Sequence, residues 1–147
     1  FMLSDIFSDE KYQQIAKKNL ENVIRYLIEE GIEFSVTANM KFVMFEPKLP
    51  PAIFSKLGSY ALFALVGYTF ETAKVDGNCL RFEASFGKEN FVSSVEISLD
   101  AIFQVIVDEE ILVLNPLATS KTFVIQKPSP EKSKNIFKDN PNNKKLF

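Results

Sequence analysis

Leu80-Arg81-Phe82-Glu83-Ala84-Ser85-Phe86-Gly87 is the stretch from which the fold is read. Leu80, Phe82, Ala84 and Phe86 alternate with Arg81, Glu83 and Ser85, the period of a half-buried β-strand. Asp76-Gly77-Asn78 before it and Gly87-Lys88-Glu89-Asn90 after it are turn signals. A second run, Phe91 to Ile97, follows at hairpin distance. Ser98 then reads as the cap of a brief helical phrase, Leu99-Asp100-Ala101-Ile102. Phe103 to Val107 and Ile111 to Leu114 are β-rich runs, and Asp108-Glu109-Glu110 between them reads as a solvated hairpin tip.

Upstream, Ser8-Asp9-Glu10 reads as a helix start with Ser8 as N-cap, and Gly31 as the stop after Glu30. Lys17, Glu21, Arg25 and Glu29 are spaced for i,i+4 pairs. Tyr12, Ile15, Ala16, Leu20, Val23, Ile24, Tyr26, Leu27 and Ile28 cover an arc of roughly 220° at 100° per residue, about twice what one core-facing stripe needs. Two readings fit this excess: a helix with one face on its sheet and one on a partner, or a helix sunk deeply in its own domain. Ile32 to Ala38 predicts a first strand and Lys41 to Phe45 a second, with Asn39 as a turn between them. Pro50 to Gly58 predicts a helical turn or two, with Pro at its start and Gly after its end. Tyr60 to Val66 is a continuous apolar run, read as a buried strand; Thr69 to Val75 alternates and reads as the next strand.

The 147 residues are one domain's worth, with 46% hydrophobic and 24% charged residues, ordinary globular values. The 15 Phe and absent Trp predict a Phe-packed core. With no His, the commonest general base and metal ligand is missing. One Cys, Cys79, excludes an intramolecular disulfide and a cysteine-cluster zinc site, and it reads as a small apolar residue rather than a nucleophile. The five Gly are isolated, so no phosphate loop is present. An enzyme, a metal and a cofactor are therefore not expected. Cysteine usage and the lack of a signal peptide suggest a cytoplasmic protein, and no apolar run is long enough to span a membrane. The net charge of −2 argues against a nucleic-acid partner.

After Thr122 to Ile125, a candidate last edge strand, the composition changes. Residues 127–147 hold Pro128, Pro130 and Pro141, four Asn, and six Lys against two acids. This reads as a flexible tail following a domain of residues 1–126.

The order strand, turn, strand, helical phrase, strand over 80–105 resembles the bacterial stringent starvation protein B family, adaptors of the ClpXP protease. "LRFEASFG…VEISLDAIFQV" is similar to the family phrase "RFxARFG…VxVPLxAVxxI", and the resemblance spans roughly Lys18 to Pro116. Gly87-Lys88 stands where the family has Gly-Gly, Ser98 where it has Pro, and its Ala-Pro-Arg phrase is absent near Val66-Gly67. The resemblance implies an α+β protein: an N-terminal helix, then a small Sm-like or SH3-like, mostly antiparallel barrel or sandwich. It implies a non-enzymatic adaptor that binds ssrA-like degradation-tag peptides and delivers tagged substrates to a ClpX-type unfoldase. Peptide contacts would come from Glu83, Ala84, Ser85 and Phe86, with a further wall at Ile111 and Leu112. Alternation points Ala84 to the core and the resemblance points it to the groove; the groove is the reading adopted. Lys144-Lys145-Leu146-Phe147 would dock on the unfoldase. The first helix would make a homodimer through Ile24 and Ile28. The alternative, from a different class, is an Sm-like RNA-binding module, which needs a basic face studded with aromatic residues.

Overall fold

The computed structural model describes Phe1 to Thr119. The candidate strand at Thr122 to Ile125, the tail 127–147 and its Lys144-Lys145-Leu146-Phe147 end lie outside these residues. A short helix, α1 (Leu3–Phe7), precedes the long α2 (Glu10–Glu29). The expected Ser8 cap is displaced by one residue. Asp9 caps α2 by accepting the Lys11 N–H at 2.9 Å, while the Ser8 hydroxyl donates back to the Ser4 carbonyl and closes α1. At the far end Gly31 adopts φ +72°. Its N–H donates to Ile28 and that of Ile32 to Leu27, the paired closure that a left-handed residue after a helix permits.

Eight strands follow among the described residues: β1 (Phe34–Asn39), β2 (Val43–Glu46), β3 (Tyr60–Leu65), β4 (Lys74–Asp76), β5 (Cys79–Phe86), β6 (Phe91–Ser98), β7 (Ile102–Val107) and β8 (Glu110–Leu114). They form two antiparallel sheets of four, in the orders β3-β1-β7-β8 and β2-β6-β5-β4. A long helix ahead of two antiparallel sheets is the α+β class expected. The inner faces meet through aromatic rings: Phe63 of the first sheet lies 5.8 Å from Phe82 and 6.4 Å from Phe45 of the second, centroid to centroid. Leu20, Ile24 and Leu27, at i, i+4 and i+7, form the buried stripe of α2, which packs against β4 and the turn Leu99–Ala101.

The central hairpin is as its turn signals predict. Asp76 pairs with Cys79 across Gly77-Asn78, with Gly77 at φ +65°, and Phe86 pairs with Phe91 across Gly87 to Asn90. Gly87 has a second constraint besides φ +78°. A Cβ there would lie 2.8 Å from Cδ1 of Ile53, which sits on the short helix α3 (Pro51–Phe54). The acidic tip is a two-residue turn joining Val107 to Glu110, with Asp108 and Glu109 at φ +53° and +67°.

Four local expectations are corrected. Asn39 makes no hairpin: its side chain accepts the Lys41 N–H, starting the 3-10 turn Met40–Phe42 that carries the chain from one sheet to the other. The run at Tyr60 to Val66 is not fully buried: β3 is an edge strand, with Ala61, Phe63 and Leu65 inward and Tyr60, Leu62 and Ala64 exposed. Thr69 to Val75 is not one strand. Gly67–Thr72 forms the helix α4, anchored where Phe70 meets Phe34 edge-on at 6.2 Å, and β4 keeps only three residues. Ser98 makes no side-chain cap; buried Leu99 and Ala101 hold the turn by packing.

Candidate peptide-binding surfaces

The outward residues of the second sheet stand in register rows. Lys74, Arg81, Glu96 and Met44 form one row across β4, β5, β6 and β2; Glu83, Ser94 and Glu46 form the next across the last three. The Arg81 guanidinium donates to Glu96 at 2.8 Å through its terminal nitrogen and lies 3.3 Å from Asp76 through Nε. The Cys79 thiol donates to the other Glu96 oxygen at 3.3 Å. Burial first, then the Glu96 carboxylate, push that thiol up to about 12, so at neutral pH it is protonated and unreactive. These rows floor an open groove of about 570 Å³, whose further wall includes Thr72 of α4.

β4 covers β5 only as far as Arg81, which pairs with Lys74. Beyond that point α4 takes over, and the Glu83 N–H donates to Thr72 Oγ1 at 2.9 Å. This bond fixes the parity of the strand. Glu83 and Ser85 turn their peptide groups away from β6, whereas Phe82, Ala84 and Phe86 turn theirs toward it. No strand of the described residues covers Ser85 on that side, so its N–H and C=O line an open edge at the end of the groove. Tyr68 of α4 donates its hydroxyl to Glu83 at 2.9 Å. That bond to a carboxylate is the leading cause of the upward shift of the Tyr68 phenol.

The four residues expected on this strand therefore divide by side. Glu83 and Ser85 belong to the outer face. Ala84 and Phe86 pack against the core, with Phe86 edge-on to Phe45 at 5.7 Å, which corrects the groove assignment of Ala84. Alternation alone had placed it inward. Ala84→Gln is accordingly expected to leave the groove unobstructed and to destabilise the domain by about 1–3 kcal/mol through overpacking, read as a lower midpoint in urea. Ile111 and Leu112 are exposed at 55% and 53%, but they lie on β8 at the edge of the other sheet. Neither lines the groove that Glu83 lines.

The expected dimer residues are also relocated. Ile24 is fully buried within its own chain and Ile28 packs against the same core, so Ile24 presents nothing to a second copy. The broad apolar arc of α2 is explained by depth on one side and by Ile15 and Tyr26, exposed at 64% and 56%, on the other. On the polar side Glu21 receives Arg25 at 3.1 Å and Lys18 at 3.6 Å; the Arg25 bond is the leading cause of its lowered carboxyl pKa.

Thr72 and Met44 were not foreseen as lining residues, nor Tyr68 as the partner of Glu83. The alternation of β5 did carry the signal for Arg81 beside Glu83, but Tyr68 and Thr72 belong to a segment whose apolar spacing suits a strand as well as a helical turn. No helix of the described residues is long and apolar enough to cross a membrane. Comparison with models of known protein families and with curated proteins found no match to this chain.

Proposed function

We propose that this protein is a non-enzymatic cytoplasmic adaptor that binds ssrA-like degradation-tag peptides and, as a homodimer, brings tagged substrates to a ClpX-type unfoldase. The observation that carries this reading is the open main chain at Ser85 beside the groove, where β4 has ended. An extended peptide adds to such an edge by main-chain hydrogen bonds, and alternate side chains then reach neighbouring pockets. Here those side chains would meet Glu83, Thr72 and the row formed by Arg81, Glu96 and Met44. Arg81 is already neutralised by two carboxylates, so recognition would rest on the backbone and on short polar contacts. The resemblance over 80–105 supports the same reading. The RNA-binding alternative draws no support from this face, which gathers Glu46, Glu83 and Glu96 around the groove. Phe1 to Thr119 carry ten Lys and Arg against seventeen Asp and Glu, a net −7 that repels phosphate.

Fluorescence anisotropy with a labelled transfer-messenger-RNA tag peptide and with a labelled RNA oligomer tests the proposal. The peptide is expected to give a saturable rise at micromolar protein and the RNA none at moderate salt. Binding of the RNA alone would overturn the adaptor reading in favour of the nucleic-acid one.

A further inference from the structure

The two sheets present unlike outer faces. That of the second carries Lys74, Arg81, Glu96, Glu83 and Glu46 in its register rows. Across β3, β1, β7 and β8 the first sheet sets out a row of Leu62, Thr37, Gln104 and Leu114. The next row is Ala64, Ser35, Ile106 and Ile111, and neither row holds a charge. Leu62, Ile111 and Leu114 are exposed, and the Thr37 hydroxyl donates to Gln104 at 3.2 Å. An uncharged, largely apolar face of this kind marks a surface that another segment covers.

The two ends of this face differ. At one, Tyr60 pairs with Asn39, and the Tyr60 and Phe103 rings lie 6.5 Å apart. Asn39 shares the outward side of β1 with Ser35 and Thr37, and its side-chain amide donates to the Ala118 carbonyl at 3.2 Å. Ala118 and Thr119, the last described residues, are thereby delivered to this end. At the other end Glu33, Asp108 and Glu109 rim a hollow of about 410 Å³ that Leu62, Val66 and Ile106 also line. Glu33 accepts the Gly67 N–H at 2.7 Å; Asp108 and Glu109 pair with no cation of the described residues.

We propose that Ser120 to Lys127 of the same chain covers this face, running from the Asn39 end to the acidic hollow. In an extended segment Phe123, Ile125 and Lys127 share one side. Phe123 and Ile125 then lie on the apolar rows, and Lys127 arrives at Asp108 and Glu109. Lys121, on the same side, comes over the Tyr60 and Phe103 rings, which attract an ammonium group. The reach suffices: the six residues of β1 span about 20 Å, and the eight of the segment extend to about 26 Å. Charge favours this segment over a second copy. Phe1 to Thr119 sum to −7, and a second copy would bring the same sign to an acidic hollow, whereas residues 120–147 hold seven Lys against two acids. The groove beside Ser85 lies on the other sheet, so the cover does not rest on the peptide-binding proposal.

Leu62→Cys combined with Ile125→Cys in the full chain is expected to form a disulfide within one chain on mild oxidation of dilute protein. Ile125→Cys combined with Val92→Cys, exposed on the outer face of the second sheet, is expected to stay reduced. The native Cys79 thiol, held protonated beside Glu96, does not compete. Phe123→Asp is expected to lower the melting temperature by about 3–8 °C and to raise the fluorescence of anilinonaphthalene sulfonate as the apolar face is uncovered. Equal crosslinking at positions 62 and 92 would overturn the cover. So would a disulfide between chains rather than within one, which would assign the face to a second copy, or a Phe123→Asp variant that matches the parent in both melting temperature and dye fluorescence.

Discussion

Ile24→Glu is expected to abolish folding. Ile24 is wholly buried in the centre of the α2 stripe, between Leu20 and Leu27. The substitution removes about 1.5–3 kcal/mol of apolar burial. It also leaves a carboxylate without a partner, which costs several kcal/mol more whether it stays charged or is forced to take a proton. Domains of this size have about 5–15 kcal/mol in all. The variant should lose its cooperative thermal transition by circular dichroism. Ile15→Glu and Tyr26→Glu, on the exposed side of the same helix, should stay within about 0.5 kcal/mol of the parent. A folded, monomeric Ile24→Glu protein would instead mean that α2 is an interface helix, the role the family resemblance implies for it.

Deleting Lys144 to Phe147 is expected to abolish stimulated degradation of a tagged reporter while leaving tag binding intact. The reason is local concentration. A tether of about twenty residues holds a bound substrate near its target at roughly millimolar levels, and that gain vanishes when one end lets go. Residues 120–147 carry seven Lys and only two acids, opposite in sign to the −7 of Phe1 to Thr119. The assay pairs peptide anisotropy with reporter turnover in the presence of the unfoldase and its peptidase. Equal loss of binding and turnover would merge the two sites into one; full turnover without the four residues would remove the docking role altogether.

The parts of the fold that were legible in the sequence are those where one local signal dominates. The 80–97 hairpin, with alternation on both strands and Gly at its turns, is one; the Gly31 helix stop and the acidic tip at Asp108-Glu109 are others. The misreadings share a cause. Apolar side chains look alike whether they face a core or await a partner, so Leu62 and Tyr60 suggested burial and Ile24 suggested an interface. The candidate site was half legible. Glu83 and Ser85 were placed correctly on the outer face by alternation, and Arg81 with them. The end of β4 at Arg81, which opens the edge, was not visible, because Phe70 and Thr72 alternate well enough to extend a strand. The inward turn of Ala84 was visible by alternation and was overruled by the resemblance.

The order in which the chain visits its two sheets has a kinetic consequence. It enters the first with β1, crosses to the second with β2, returns with β3, leaves again for β4 to β6, and comes back with β7 and β8. β1 must wait for β7 before its second ladder exists, and β2 must wait for β6. Such distant closures put folding in roughly the millisecond-to-second range rather than the microsecond range of helical bundles. They also mean that no cut between β2 and β6 yields a fragment holding either sheet complete. During synthesis β1 to β6 leave the ribosome before the strand that locks the first sheet, so the second side of β1 stays open until the chain is finished to Val107.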